Sequence, residues 1–411
     1  MTRPNSLFVD RRLIGSLIFC IALSAYLLGG LLYAQWSIFA DHVLRSYRVG
    51  HNTLSLADIP RNVMQTEVGH PGEFTRYRPT NYLMCATEGL LWGNDPLFLH
   101  MARVLSLILF LGFLAAALCR YFSFLIVIGL CAVLMTAAYW KHVLIGFGPN
   151  EICILVVAPF FLWAYTRILS AFYSPHISSM NGGLWLMCCL TAVLLAGIKE
   201  NMTIVTLPLL WLGGVYWWRV GRLDLRLLLV ALACIAIGFI IGAVVAGVRN
   251  AGADFYGNSV TLGHRLYTAL LQMPKYPMPF MLAVLAGLGL IGFLRVSVSA
   301  VLPGWVQFAA CARGLLWPQA GLVMLSLAHI FFYEGWPADS CYSFPLEFFV
   351  FLTGAMLLYL FINAVRVWYP SFYARAQVLS GLVLIVISVF IGYSVIRTHM
   401  QTFTLASREF T

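Results

Sequence analysis

The chain reads as an all-α polytopic membrane protein of about eleven transmembrane helices, and three observations carry that reading. Hydrophobic residues make up 61% of the 411 positions and charged residues only 10%, with a mean hydropathy of +0.88; soluble domains carry roughly 25% charged residues. Apolar runs recur at lengths near the ~20 residues a helix needs to cross a hydrocarbon core of ~30 Å. The charges between these runs divide by sign along the chain, as a membrane topology requires.

The runs fall near residues 13–36, 96–119, 122–140, 150–170, 184–198, 202–218, 227–248, 280–294, 315–333, 346–364 and 378–396. With the N-terminus on the inner side, that side receives Arg3, Arg11, Arg12, Arg120, Arg167, Arg219, Arg222, Arg226, Arg295, Arg313, Arg366 and Arg375, against the acids Asp10 and Asp224 alone. The inner side then holds the whole net charge of +10, as the positive-inside rule expects. The outer side is neutral overall but densely charged with both signs. Topology therefore accounts for a pI near 9.2, and nucleic acid is not expected as a partner. Arg11 and Arg12 precede an apolar run too long for a cleaved signal peptide, so the first run reads as a retained anchor. The expected location is a plasma (bacterial inner) membrane, with a cytoplasmic N-terminus and an outer C-terminus.

The chain reads as one membrane domain over 1–411, with outer segments at 37–95, 249–279 and 334–345. Within the first of these, 52–68 is polar enough for a surface helix. Residues 81–92 place Leu83, Ala86 and Leu90 beside Tyr82, which suits a helix in the interface plane. Pro60, Pro71 and Pro79 interrupt the intervening chain. The fifth and sixth runs are separated only by Lys199-Glu200-Asn201 and form a tight outer hairpin. Around 295–320, a Pro- and Gly-containing stretch leaves room for a re-entrant or interfacial segment. Most cysteines lie inside runs as small core residues; Cys85 and Cys341 are expected to face the outer compartment, where they could pair. No C-x-x-C or H-x-x-x-H spacing suggests a metal centre.

Candidate chemistry gathers on the outer side. Asp41 follows a helix running inside to outside and so meets its negative end, a position disfavoured for an acid by about 0.3–1 kcal/mol. Solvent, a cation or a role as a base would compensate, and a solvated interfacial aspartate is the commoner case. In Arg76-Tyr77-Arg78-Pro79 the proline biases Arg78 toward extended backbone, so Arg76 and Arg78 project to one side. Two guanidiniums there suit bidentate grip of a phosphate; pairing with Glu67, Glu73 or lipid headgroups is the plainer alternative. Lys199-Glu200 lies between two very apolar helices, where charges are costly. Glu200 can cap the sixth run, and Lys199 either snorkels to the surface or offers a point charge to a phosphate. His264, Arg265, Lys275, Tyr276, Glu334, Asp339 and Tyr342 complete the outer set.

Taken together, Asp41 after the first span, Arg76-Tyr77-Arg78-Pro79 in the first outer loop, Lys199-Glu200 between two spans and Tyr342-x-x-Pro345 before a late span resemble the GT-C superfamily. These are integral-membrane glycosyltransferases that use polyprenyl-phosphate-sugar donors, and the likeness is nearest to the bacterial branch that decorates surface polysaccharides. The span pattern covers essentially the whole chain; the motifs are few and short. The resemblance implies a GT-C-like fold and transfer of a sugar to an acceptor hydroxyl, on a glycan or a lipid-linked acceptor, at the outer face. The expected chemistry is inverting, with Asp41 as base and Arg76, Arg78 and Lys199 on the donor phosphate. His42, Tyr77, Glu200, His264, Arg265 and Tyr342 are expected in support. Two positions depart from the family pattern: His42 stands where many members carry a second acid, and Cys341 where many carry Arg. No cofactor is therefore demanded, although Asp41 and His42 could touch a divalent cation such as Mg or Mn. Two other readings compete. A polysaccharide polymerase or ligase would share lipid-linked substrates and rely on outer arginines. A transporter would show broken helices or ionisable groups at mid-membrane, and His100, Arg103 and His329 lie inside apolar runs.

Overall fold

A computed structural model describes residues 11–28, 56–57, 60, 78–92, 96–119, 121–137, 140–144, 151–173, 182–250, 263, 267 and 344–408. These residues are 91% helical, and no strand occurs among them. The helices are α1 (Arg11–Leu28), α2 (Pro79–Trp92), α3 (Pro96–Leu118), α4 (Phe124–Met135), α5 (Trp140–Leu144), α6 (Glu151–Tyr173), α7 (Gly182–Ala196), α8 (Thr206–Val220), α9 (Leu225–Asn250), α10 (Phe344–Trp368) and α11 (Tyr373–Arg408). Short 3-10 helices, Glu200–Val205 and Pro370–Phe372, lead into α8 and α11. By length and composition, Leu97–Leu118, Phe351–Trp368 and Pro370–Gly392 can each cross a membrane, and five shorter apolar helices accompany them. The expected runs at 280–294 and 315–333, and the surface helix at 52–68 beyond a turn at 56–57, lie outside the described residues.

Contacts between helices sort the bundle into two ends. Ser16 Oγ lies 3.6 Å from Cys119 Sγ, so the start of α1 meets the end of α3. A Cβ at Gly15 would touch the Phe124 ring, which brings the start of α4 to the same end. Parallel to α4 runs α11, and the two interlock through glycines: a Cβ at Gly129 would fall 2.6 Å from Leu384 Cβ, and one at Gly381 would fall 2.7 Å from Leu125 Cβ. Small residues that let backbones approach this closely are the usual device of helix pairing where apolar burial gives no preference. Phe172 at the end of α6 stands 6.1 Å from Trp185 and 5.3 Å from Tyr216, joining the start of α7 and the end of α8. Tyr359, late in α10, stacks edge-on against Tyr121 at 5.6 Å.

At this end the arginines with described side chains, Arg167, Arg222, Arg226, Arg366 and Arg375, are all exposed. Arg167 lies over the Trp163 ring and Arg366 over Tyr373, as amphipathic cations do beside aromatic faces. The connection from α8 to α9 is compact. Gly221 takes a left-handed φ of 75° and donates its amide to Trp217 O at 2.7 Å, a C-cap that a Cβ would strain. Asp224 then accepts the Arg226 amide at 2.9 Å and caps α9.

Several elements differ from expectation. The run at 122–140 is not one helix. It stops at Met135, where Thr136 and Ala137 donate their amides to Val133 O and Leu134 O in tighter i−3 bonds. The buried Trp140 indole then donates to Leu134 O at 2.7 Å, a second hydrogen bond to that carbonyl in the last turn. The run at 202–218 begins as a 3-10 helix, and α11 continues to Arg408, well beyond 396. Cys85 does not face outward: it is buried, and Cys341, its conceivable partner, lies outside the described residues.

Candidate functional site

At the end opposite the exposed arginines, α2 is the organising element. Pro79 occupies its first position, where the missing amide costs nothing and φ is already helical. Arg78 precedes it as the capping residue, its carbonyl accepting the Tyr82 amide at 3.0 Å. The chain therefore leaves the helix at Arg78, as the residue before a proline tends to. The buried side of α2 consists of Thr80, Asn81, Tyr82, Cys85, Ala86, Glu88 and Gly89. Leu83 and Leu91 are exposed. The expected apolar set therefore divides: Leu83 faces out, while Tyr82 and Ala86 lie on the buried side beside the polar Thr80, Asn81 and Glu88.

Three polar contacts attach that side to three other elements. The Thr80 amide donates to Gly197 O at 3.1 Å, just past the end of α7. Asn81 Oδ1 accepts from the Cys153 thiol at 3.3 Å, in the first turn of α6. Glu88 takes a two-point grip from Arg103 on α3: Arg103 Nη1 donates to Glu88 Oε1 and Nη2 to Oε2, the latter at 3.2 Å. Paired forks of this kind fix angle as well as distance.

The Thr80–Gly197 contact brings the two cationic motifs of the sequence together. Arg78 stands two residues before Thr80, and Lys199 two residues after Gly197. Only hydrogen at Gly197 permits the approach, since a Cβ there would fall 2.4 Å from Thr80 Oγ1. Both cations are buried, Arg78 to 6% exposure and Lys199 to 1%. Lys199 therefore does not snorkel. The connection holding it is short: α7 ends at Ala196 and the 3-10 helix begins at Glu200. Both cations also stand at the N-terminal mouths of helical segments, where backbone amides add further positive potential. An anion is the natural complement of such a corner.

The bases with described side chains thus divide cleanly: exposed at one end of the bundle, and buried as Arg78, Arg103 and Lys199 toward the other. Glu88 and Arg103 were not expected as a pair. The signal was present in the sequence, because a carboxylate in the apolar stretch Cys85–Trp92 and an arginine inside the second run are each costly alone. The sequence does not reveal that one answers the other. The outer charges are accordingly not all wet; this acid and this base neutralise each other inside the protein.

Asp41, His42, Arg76, Tyr77, His264, Arg265 and Tyr342 lie outside the described residues, and of Glu200 only the backbone is described. Among the described residues no group of three His, Cys, Asp or Glu converges as metal ligands. No family model, curated protein or solved structure matches this chain.

Proposed function

We propose that this protein is a GT-C-type membrane glycosyltransferase that moves a sugar from a polyprenyl-phosphate donor to an acceptor hydroxyl at the end of the bundle bearing Arg78 and Lys199. The observation that carries the reading is the burial of these two cations beside each other's chain segments, joined by the Thr80–Gly197 hydrogen bond. A lipid phosphate is a fair leaving group and demands no general acid. The acceptor oxygen attacks the anomeric carbon, Asp41 takes the hydroxyl proton, and the bond from that carbon to the phosphate oxygen breaks with inversion. Negative charge grows on the departing phosphate, where Arg76, Arg78 and Lys199 stabilise it. In this scheme the end bearing Arg78 and Lys199 faces the outer compartment, and the exposed arginines Arg167, Arg222, Arg226, Arg366 and Arg375 face the cytoplasm.

The test is direct. Purified protein in lipid nanodiscs is incubated with a panel of polyprenyl-phosphate sugars, and released polyprenyl phosphate is measured. Release from at least one donor, lost in Lys199→Ala, supports the reading; no release from any donor, with or without Mg or Mn, counts against it. The interruption after Met135 favours a second reading, since transporters bind substrate at discontinuous helices. Uptake of free sugar or sugar phosphate into proteoliposomes, without release of polyprenyl phosphate, would select the transporter.

A further inference from the structure

The polar contacts on α2 have a common effect at its N-terminus. Apolar burial is non-directional, whereas the buried side of α2 also carries Thr80, Asn81 and Glu88, tied to other elements by hydrogen bonds. Asn81 and Glu88 are seven residues apart, two helical turns, so they lie on one face. Their partners Cys153 and Arg103 belong to α6 and α3, and the Thr80 amide reaches the end of α7. Attachment to three elements restrains both sliding and rotation of the helix. Glu88 is ten residues beyond Arg78, or about 15 Å along a helix. Glu88 therefore lies too far along α2 to reach a phosphate held by Arg78, and its carboxylate is already engaged by Arg103.

We infer that Glu88 and Arg103 are positioning residues, whose two-point ion pair sets the register of α2 and thereby holds Arg78 over the Lys199 turn. The inference rests on the donor-phosphate reading for its functional consequence. Its structural content, that the ion pair fixes the Thr80–Gly197 approach, stands independently of that reading.

The geometry supplies its own reporter. An ideal Cβ at Gly197 lies 3.5 Å from Thr80 Cβ, within the range of about 3.5–4.5 Å that a disulfide needs. The double variant Thr80→Cys/Gly197→Cys, in membranes and oxidised with copper phenanthroline, should cross-link rapidly, with each single-cysteine variant as the control for native thiols. Adding Glu88→Gln should slow cross-linking about tenfold by removing the carboxylate that Arg103 grips at two points and so loosening α2. Glu88→Leu/Arg103→Met removes both charges at similar volume. It should return the unfolding temperature to near wild type while leaving cross-linking slow, a split that a merely structural role would not produce. In the protein without added cysteines, Glu88→Gln should weaken binding of polyprenyl phosphate by about tenfold while unfolding stays cooperative. Equal cross-linking rates with and without the Glu88→Gln substitution, or full recovery of the rate in Glu88→Leu/Arg103→Met, would overturn the inference. Failure of the wild-type protein to bind polyprenyl phosphate sinks only the functional reading, because the cross-linking rates still report on α2.

Discussion

Thr80 donates its amide to the carbonyl of Gly197 over 3.1 Å, and its hydroxyl oxygen occupies the space where a side chain at 197 would begin. Gly197→Ala should therefore force the two chains apart, at a cost of about 1–3 kcal/mol. Thr80→Ala in the same chain removes the offending oxygen and leaves Pro79 Cγ, at 3.4 Å, as the nearest neighbour. The double variant should recover most of the lost stability, as measured by thermal unfolding in detergent. Additive losses would mean that the two segments do not meet at this point.

Arg78→Lys tests the phosphate grip. Charge is retained, but an ammonium cannot reproduce the planar two-point hydrogen bonding of a guanidinium. Losing one charge-assisted hydrogen bond costs roughly 1.5–3 kcal/mol, which is about tenfold to a hundredfold in donor affinity. Lys199→Ala should lower both affinity and turnover, because charge on the leaving phosphate increases in the transition state. Titration of nanodisc-embedded protein with polyprenyl phosphate reads the first effect, and single-turnover release reads the second.

Asp41→Asn keeps the shape of the side chain and removes its proton acceptor. Turnover should fall by roughly 10²–10⁴-fold with little change in donor binding. Near-normal turnover would reduce Asp41 to a solvated interfacial residue, and the base would have to be sought elsewhere.

Sidedness is read by thiol labelling of intact cells. A membrane-impermeant maleimide should modify Gly72→Cys and spare Arg222→Cys. The latter position is exposed beside the α8–α9 turn and avoids the left-handed backbone of Gly221. Labelling at 222 would invert the topology and move Arg78 and Lys199 to the cytoplasmic side.

Stability separates breaking the internal ion pair from deleting it. Glu88→Ala leaves Arg103 charged and buried, a change worth about 3–5 kcal/mol of destabilisation, whereas replacing both residues by apolar ones of similar volume is close to neutral. Differential scanning measurements on the single and double variants should show that non-additivity.

Helix content was legible in the sequence because long apolar runs admit only a helix where water is absent. The runs at 96–119 and 346–364 find helices close to their expected bounds. Boundaries inside an apolar stretch were not legible. Nothing in Ala137-Ala138-Tyr139-Trp140 punctuates the third run as Gly or Pro would; the break there is stabilised by the Trp140 indole, a contact six residues away from Leu134. The cationic motifs were legible as costly residues at run ends. Their meeting was not, because it depends on one backbone hydrogen bond between positions 80 and 197 and on the lack of a side chain at the latter. Glu88 was passed over for a related reason: a lone carboxylate in an outer loop looks solvated until its partner on another helix is known.

The early end of α4 limits how far that helix reaches. Twelve residues rise only about 18 Å, against about 30 Å of hydrocarbon. α4 starts level with the exposed arginines and is held in that register by its interlock with α11. Its last turn therefore rises well short of a full hydrocarbon thickness, and the Thr136 and Ala137 amides with the Trp140 indole close its final hydrogen bonds. Alone, α4 is too short to bridge a hydrocarbon core.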